Sequence, residues 1–256
     1  MDRRRTLWTL SGPYPALGPH AIRSLDPSEL TILFQPIVDL QKRTPWAVEA
    51  LVRCTRPHFQ DPQRLFRAAE DQGATGRLGR LIRDLTFERC PEQRVFINIH
   101  PHELSSRWLV RTDDPLGYHR AGVYLEITET AAFEFFDLCR SVLREVCNRT
   151  GAHLVVDDLG AAHSNLARVL DLEPEVVKLD RALVHGIDRH ARRRAVVRHV
   201  TNLCRDLGAT VVAEGIERVD ELLAVRDLGV HYGQGYLFAA PAFPPPEALW
   251  PEPAGP

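Results

Sequence analysis

Short apolar runs alternate with amphipathic stretches along most of the chain. Eight runs are apolar and rich in β-branched and aromatic residues, as buried strands are. Few of their positions alternate with polar residues, which favours strands buried on both faces of a mainly parallel sheet. The predicted strands are TILFQPIV, WAVEALV, RVFINIH, GVYLEIT, AHLVVDD, EVVKLD, ATVVAEGI and GQGYLFA.

The stretches between these runs carry apolar residues at three- and four-residue spacing, which predicts helices. Three of them end at a glycine just before the next strand, at Gly151, Gly208 and Gly229, the usual signal of a helix C-terminus. Eight strand–helix units in about 250 residues is the size of a β/α barrel. We therefore predict an α/β protein with a TIM-like (β/α)8 barrel.

The first two strands depart from this alternation. Only DLQKRTP separates them, which is too short for a crossover helix and favours a hairpin. The first strand is therefore expected to run antiparallel to the second. We predict a barrel domain over residues 29–243, an irregular N-terminal arm over residues 1–28 and a proline-rich tail over residues 244–256.

The composition argues against several classes of protein. A formal net charge of -2 gives no excess of positive charge with which to bind nucleic acid. The arginines of RHARRRAVVRH are spread around a helix, as on a solvated face. No run reaches the roughly 18 to 20 apolar residues of a membrane-spanning helix. The five cysteines are odd in number and lack CxxC spacing, which indicates buried free thiols. We expect a cytoplasmic protein without a membrane or nucleic-acid partner.

Polar side chains stand at the ends of the predicted strands from the second to the eighth. In a β/α barrel, the carboxyl ends of the strands carry the chemistry. A single Glu or Asn at such a position is more often a cap or turn residue, so the complete set is what indicates a site. In chain order the set is Glu49, Asn98, Glu126, Asp157 with Asp158, Lys178, Glu214 and Gln234.

Five carboxylates at one barrel mouth require cations. Desolvating even one unpaired carboxylate costs several kcal/mol, and Lys178 supplies one positive charge. Two divalent ions together with Lys178 would balance the five negative charges. The donors are all oxygens, from the carboxylates and the Asn98 amide, which favours Mg²⁺ or Mn²⁺ over zinc. A pair of such ions is typical of enzymes that cleave phosphodiesters.

The strand-end motifs resemble those of a known family. The EAL domain of cyclic di-GMP phosphodiesterases is similar in the order and spacing of FQPIVDL, VEALVR, FINIHP, LEITET, VVDDLG, VVKLDR, VVAEGIE and YGQGYLFAAP. The resemblance covers roughly residues 29–243. It implies a barrel with one reversed strand and a role in bacterial signalling, through hydrolysis of cyclic di-GMP to linear pGpG with two Mg²⁺ or Mn²⁺ ions. It also implies a homodimer.

The resemblance implies two metal positions that share one aspartate. One ion would be held by Glu49, Asn98, Glu126 and Asp157. The second would be held by Asp157, Asp158 and, directly or through water, Glu214.

The remaining matched residues would act on water and substrate. Lys178 matches the lysine that orients the attacking water and meets the scissile phosphate, and Gln234 matches a glutamine in the same network. Gln35 and Arg53 match contacts to guanine and to phosphate, respectively. Glu129 matches a glutamate that holds the loop after the fifth strand.

The segment after the aspartate pair departs from the family pattern. Active members usually have DDFGTGYSS there, whereas this chain has DDLGAAHSN at residues 157–165. Ala162 replaces a glycine, and glycine reaches backbone conformations that cost alanine on the order of 1 kcal/mol or more. Two alternatives therefore stay open. One is a weak or inactive cyclic di-GMP receptor or protein-interaction module with an unknown partner, and the other is a different two-metal phosphohydrolase.

Overall fold

Eight strands form a closed barrel in chain order. The computed structural model describes residues 21–105, 108–160 and 171–251. β1 pairs antiparallel with both β2 and β8, and the other neighbouring strands are parallel, which confirms the predicted barrel with a reversed first strand. The strands are β1 (Leu30–Asp39), β2 (Thr44–Cys54), β3 (Val95–Asn98), β4 (Val123–Thr128), β5 (His153–Leu159), β6 (Val176–Leu179), β7 (Thr210–Ala213) and β8 (Tyr232–Gly233).

A tight turn joins β1 to β2, as the short connection predicts. Asp39 Oδ1 accepts hydrogen bonds from the backbone N–H of Gln41 at 3.0 Å and of Lys42 at 2.9 Å. Aspartate favours turns because its short side chain can bond to the backbone in this way. Arg43 then takes a φ of 59°, which reverses the chain into β2.

The helices lie close to the predicted positions. Gly151, Gly208 and Gly229 follow helices with φ of 73°, 81° and 80°, a left-handed conformation that a Cβ atom makes costly. The helices are α1 (Pro62–Asp71), α2 (Thr75–Arg89), α3 (Pro101–Ser105), α4 (Glu129–Glu134), α5 (Phe136–Leu138), a π-helical turn (Cys139–Leu143) leading into α6 (Arg144–Thr150), α7 (Arg181–Val184), α8 (Ala191–Asp206) and α9 (Val219–Asp227).

The eighth strand is shorter and begins earlier than the predicted GQGYLFA run, residues 233–239. After Gly233 the chain turns and packs against the loop that follows β7. Ile216 N–H donates to Gln234 O and Leu237 N–H donates to Ile216 O, both at 3.0 Å. A Cβ atom on Gly235 would lie 2.1 Å from Ile216 O. A close backbone contact, and not strand pairing, therefore buries Phe238 and partly buries Leu237, whereas Tyr236 is 67% exposed.

Inside the barrel, the half nearest the amino ends of the parallel strands is filled by apolar side chains. The Trp46 and Tyr232 rings stack 3.7 Å apart, and the Phe96 and Tyr124 rings stack 4.4 Å apart. This interior is a packed core and not a pore. The layer consists of Ile37, Ala47, Phe96, Tyr124, Val155, Val176 and Val212, flanked by Trp46 and Tyr232.

The larger core lies between the barrel and the surrounding helices. It extends to Ile22 and Leu25, which are both buried in it, so the described end of the predicted N-terminal arm packs against the barrel. All five cysteines are free thiols, as predicted, and four of them are buried. None of the helices within the described ranges has the length and apolar character needed to cross a bilayer.

The segment 239–251, which we call the C-terminal strap, covers the outer side of β1. Ala242 exchanges two backbone hydrogen bonds with Phe34, at 2.8 and 3.0 Å. Further on, Trp250 packs on Phe238 with ring centroids 5.8 Å apart. The guanidinium groups of Arg43 and Arg226 lie 5.5 and 5.6 Å from the Trp250 ring. The C-terminal strap is therefore attached at Ala242 and at Trp250, and the described part of the predicted proline-rich tail, residues 244–251, includes the second attachment.

We predict that Trp250→Ala lowers the free energy of unfolding by about 2 kcal/mol, because it removes partly buried aromatic area and two cation–π contacts. Urea denaturation followed by circular dichroism would measure the loss. Tyr118→Ala is the matched control, because the Tyr118 side chain is 72% exposed. Equal stability of the two variants would contradict the anchoring role of Trp250.

Candidate functional site

A polar layer lies directly above the apolar layer of the barrel interior. Successive side chains of a strand point to opposite faces, so residues two apart share a face. On the parallel strands each polar residue follows an interior apolar residue by two positions, as Lys178 follows Val176. On the reversed strand the order is inverted, and Gln35 precedes Ile37. The layer brings together Gln35, Glu49, Asn98, Glu126, Asp157, Lys178, Glu214 and Gln234.

Lys178 lies at the centre of this layer. Its Nζ is 2.6 Å from Glu126 Oε1 and 2.6 Å from Glu214 Oε1. It is also 3.4 Å from Glu49 Oε2 and from Asp157 Oδ1. The Lys178 side chain is fully buried among these carboxylates. Charge attraction at these short distances holds the ammonium in place.

Three side-chain amides brace the carboxylates. Asn98 Nδ2 donates to Glu126 Oε2 at 3.2 Å and to Glu49 Oε1 at 3.4 Å. Gln234 Nε2 donates to Glu49 Oε2 at 2.6 Å and to Gln35 Oε1 at 3.0 Å. Gln35 Nε2 in turn donates to Ala239 O at 3.1 Å, in the C-terminal strap. The orientation of Glu49 is thus fixed from both sides.

A local distortion brings Asp158 to the same cluster as Asp157. Neighbouring residues of a regular strand point to opposite faces, but Asp158 has a φ of 59° and the pairing of β5 with β6 shifts at this point. Aspartate tolerates this left-handed conformation better than most residues. Asp157, Asp158 and Glu214 each offer an oxygen, and the three oxygens lie within 4.8 Å of one another.

Burial raises the pKa of Glu126, Asp157, Asp158 and Glu214. It raises the pKa of Asp158 to about 6, with a further contribution from Asp157. It raises the pKa of Glu214 to about 8, although the Lys178 ammonium opposes the rise. The pKa of Glu126 is also raised by burial, against the same ammonium.

For the pKa of Lys178, the effect of the neighbouring charges outweighs the effect of burial. Burial alone would lower the pKa of its ammonium, but the surrounding carboxylates, led by Asp157, raise it well above its ordinary value. Lys178 is therefore a permanent cation in this cluster.

The donor set fits hard divalent cations. Five carboxylates and one ammonium leave a formal charge of four negatives, which hydrogen bonds alone do not balance. The donors are oxygens, as Mg²⁺ and Mn²⁺ require. Gln234 Oε1 is buried in the cluster and accepts no hydrogen bond from the described residues. The cluster therefore has an excess of negative charge that such ions would balance and free oxygen atoms that could bind them.

Two predicted residues lie at the edge of this arrangement. Glu129 begins α4, and its Oε2 accepts a hydrogen bond from Gly160 N–H at 3.2 Å. It thus contacts the start of the loop after β5. Arg53 donates from Nη1 to Val52 O at 2.8 Å and is not among the residues that line the cleft above the metal-binding cluster. Ala161, Ala162 and His163 of the altered segment lie outside the described residues.

A cleft of about 340 Å³ opens above the cluster. Besides predicted residues, it is lined by Arg181, Glu217 and Tyr236, which the sequence analysis did not select. Arg181 Nη2 pairs with Glu217 Oε1 at 2.9 Å. Each of the three lies two or three residues beyond a strand-end polar residue, inside VVKLDR, VVAEGIE and YGQGYLFAAP. Their positions inside these three motifs were the signal in the sequence that could have identified them as cleft residues.

The comparisons with known proteins agree with this geometry. The family model for the EAL domain matches residues 21–241. The cyclic di-GMP phosphodiesterase RocR of Pseudomonas aeruginosa is 30% identical over 238 residues, which cover 86% of this chain and 59% of RocR. The cyclic di-GMP phosphodiesterase PdeR of Escherichia coli is 27% identical over 232 residues, which cover 86% of this chain and 35% of PdeR.

A solved structure of Klebsiella pneumoniae BlrP1 in a complex with manganese and cyclic di-GMP superimposes with a TM-score of 0.70 at 29% identity. The match covers 84% of this chain and 56% of that chain. This chain thus corresponds to part of each of these three proteins. On the strength of the family match and the barrel geometry, the chain belongs to the EAL-domain family.

Proposed function

We propose that this chain is a metal-dependent phosphodiesterase that hydrolyses cyclic di-GMP to linear pGpG. The observation that most strongly supports this proposal is the buried cluster of Lys178 and its carboxylates at the carboxyl ends of the barrel strands. The related proteins RocR and PdeR are named as cyclic di-GMP phosphodiesterases. In the reaction, water oxygen bonds to phosphorus as one ester P–O bond breaks, and a linear dinucleotide with a terminal phosphate remains.

The cluster would hold two Mg²⁺ or Mn²⁺ ions. Glu49, Asn98, Glu126 and Asp157 would hold one, and Asp157, Asp158 and Glu214 would hold the other. When bound, the ions would lower the pKa of a water molecule and neutralise charge on the phosphate. The raised pKa of Glu214 supports this assignment, because a buried acid with that property needs a cation to stay ionised.

Lys178 would hold the attacking water against the scissile phosphate. An ammonium has three N–H donors on a compact charge, so it can contact a carboxylate, a water and a phosphate oxygen together. Glu214, 2.6 Å from Lys178 Nζ, is placed to accept a proton from that water. Gln234 would fix the same network through Glu49.

Substrate recognition would use residues at the rim of the cleft. Gln35 lines the cleft and would contact guanine, whereas Arg53 would contact phosphate after its side chain leaves Val52 O. Glu129 would keep the loop after β5 in place through Gly160.

A second candidate function is a cyclic di-GMP receptor or protein-interaction module with weak or no turnover. The observation that favours it is the altered segment DDLGAAHSN, because it directly follows the aspartate pair. A changed path of that segment would alter how Asp158 meets the substrate.

We predict that purified protein with Mn²⁺ or Mg²⁺ converts cyclic di-GMP to pGpG, measured by chromatography. Lys178→Ala should lower turnover at least about 100-fold, because one positioned donor in an active site is worth that much. Lys178→Arg should also be poor, since a guanidinium is larger and has fixed donor directions. Unchanged circular dichroism would establish that each variant is folded.

Different results separate the two candidate functions. Cyclic di-GMP binding without pGpG formation at high protein concentration would support the receptor. Turnover that survives in Lys178→Ala would refute the proposed role of the lysine.

We predict that Mn²⁺ affinity rises with pH between about 6 and 8. The ion binds the carboxylate forms, whereas protons occupy Asp158 below about pH 6 and Glu214 below about pH 8. Titration calorimetry in two buffers of different ionisation enthalpy would measure affinity and proton release. Glu214→Gln should weaken binding and flatten the profile above pH 6. An affinity independent of pH in the natural sequence would contradict these protonation states.

A homodimer is part of the same proposal. The outer side of α8 carries apolar residues at positions i, i+7 and i+11, which lie along one face of a helix. They are Val196, Leu203 and Leu207, whose side chains are 46%, 37% and 59% exposed. Such a stripe supports contact with a second copy, which would remove it from water.

We predict that Leu203→Glu converts a dimer to a monomer, because it places a charge within the apolar stripe. Light scattering at several protein concentrations would give the mass. Asn202→Glu adds the same charge at a neighbouring exposed position and should leave the dimer intact. A monomeric natural protein at all concentrations would refute the homodimer.

A further inference from the structure

A second buried charged cluster lies outside the candidate site, between α2, α3 and the 3-10 helix Pro115–Gly117. It consists of Arg83, Glu103 and Asp114, which are at most 3% exposed. Arg83 Nη1 donates to Glu103 Oε2 at 2.7 Å. Arg83 Nη2 and Nε donate to the two oxygens of Asp114, at 2.9 and 3.2 Å. The guanidinium therefore joins two carboxylates from different elements.

The backbone of α2 is shaped to admit this cluster. A Cβ atom on Gly79 would lie 2.1 Å from Glu103 Oε2. No side chain can therefore stand at position 79 while Glu103 keeps its present place. The close approach of α2 to α3 depends on glycine here.

Stability alone is a weak explanation for such a cluster. Desolvating an ion pair costs several kcal/mol per ion, and apolar replacements of buried pairs are often as stable. Two carboxylates also face one guanidinium, so the cluster carries excess negative charge. An additional role would account for its presence, and the contacts of Glu103 indicate which one.

Glu103 connects this cluster to Asn98. Its Oε1 accepts a hydrogen bond from His100 N–H at 3.2 Å, two residues after Asn98. The intervening Ile99 N–H donates to Glu126 O at 2.8 Å. The two backbone amides that follow Asn98 are thus both held by hydrogen bonds, Ile99 N–H by β4 and His100 N–H by Glu103.

We propose that Arg83 and Glu103 form a positioning pair for Asn98. Arg83 fixes the carboxylate of Glu103, and this carboxylate fixes the His100 amide and so the angle at which Asn98 enters the polar layer. Asn98 Nδ2 can then donate to Glu49 and Glu126, which keeps the Asn98 side-chain amide beside the two carboxylates that would share its ion. The inference rests on the proposed role of Asn98 as a metal ligand.

Two conservative variants test separately the side-chain length of Glu103 and its negative charge. Glu103→Gln can keep an oxygen toward His100 N–H, but its NH2 group then faces the Arg83 Nη1 donor, so the charge and the Arg83 contact are both lost. Glu103→Asp keeps the charge but withdraws the oxygen by one methylene. If Glu103 positions Asn98, Glu103→Asp should weaken Mn²⁺ affinity about tenfold, the lower end of the usual effect of lost outer partners of a metal site. Glu103→Gln should weaken the affinity less than Glu103→Asp, because it keeps the His100 contact and loses only the Arg83 contact.

The measurements are Mn²⁺ affinity by titration calorimetry and melting temperature in the presence of a chelator. Val197→Ala is the control for general destabilisation, because Val197 is fully buried in α8. It should lower the melting temperature without changing the affinity per folded molecule. A purely structural role for Glu103 would give this same result in both Glu103 variants, and that outcome would overturn the inference.

Failure of the proposed function is distinguishable from failure of this inference. If the natural sequence binds no Mn²⁺, or if Asn98→Ala binds it as tightly, the proposed metal site is wrong and the inference falls with it. If Asn98→Ala weakens binding but Glu103→Asp does not, the metal site stands and only the positioning pair is wrong.

Discussion

The charge balance around Lys178 constrains the rest of the structure. A fully buried ammonium within 3.4 Å of four carboxylates is tolerable only where water is excluded from below and every group is held in place. The stacked aromatic layer beneath the cluster provides the first condition. Side-chain amides provide the second. Asn98 and Gln234 donate to carboxylate oxygens of Glu49 and Glu126, and Gln35 holds Gln234 in place.

The reversed first strand affects both the site and the outer surface. Because β1 runs antiparallel, Gln35 reaches the polar layer from the opposite chain direction, and its amide bridges Gln234 to the carbonyl of Ala239. No helix follows β8 within the described residues up to 251, and the C-terminal strap covers β1 instead. The site and the strap thus share Gln35, so the position of the strap contributes to the orientation of Gln234.

The barrel and the members of the polar layer could be predicted because both follow from local patterns. Continuous apolar runs predict strands buried on both faces, and the polar residues at the ends of these runs predict the position of the site along the barrel. Other features depend on contacts between distant residues. The eighth strand was misplaced because a turn against Ile216 buries Phe238 and partly buries Leu237. Arg83 and Glu103 resemble surface helix residues in the sequence, and only the packing of Gly79 shows that they are buried. The φ of Asp158 likewise has no sequence signal beyond the adjacent aspartates.

The two buried cations of this chain are used in different ways. Arg83 makes aligned hydrogen bonds to Glu103 and Asp114, and its planar fork suits partners that never change. Lys178 Nζ lies within 3.4 Å of four carboxylates, and an ammonium can redistribute its three donors at little cost when its partners change. A chain whose 32 basic residues other than histidine include only two lysines has one of them at this position. A compact ammonium suits a cluster of four converging carboxylates better than a planar guanidinium with fixed donor directions.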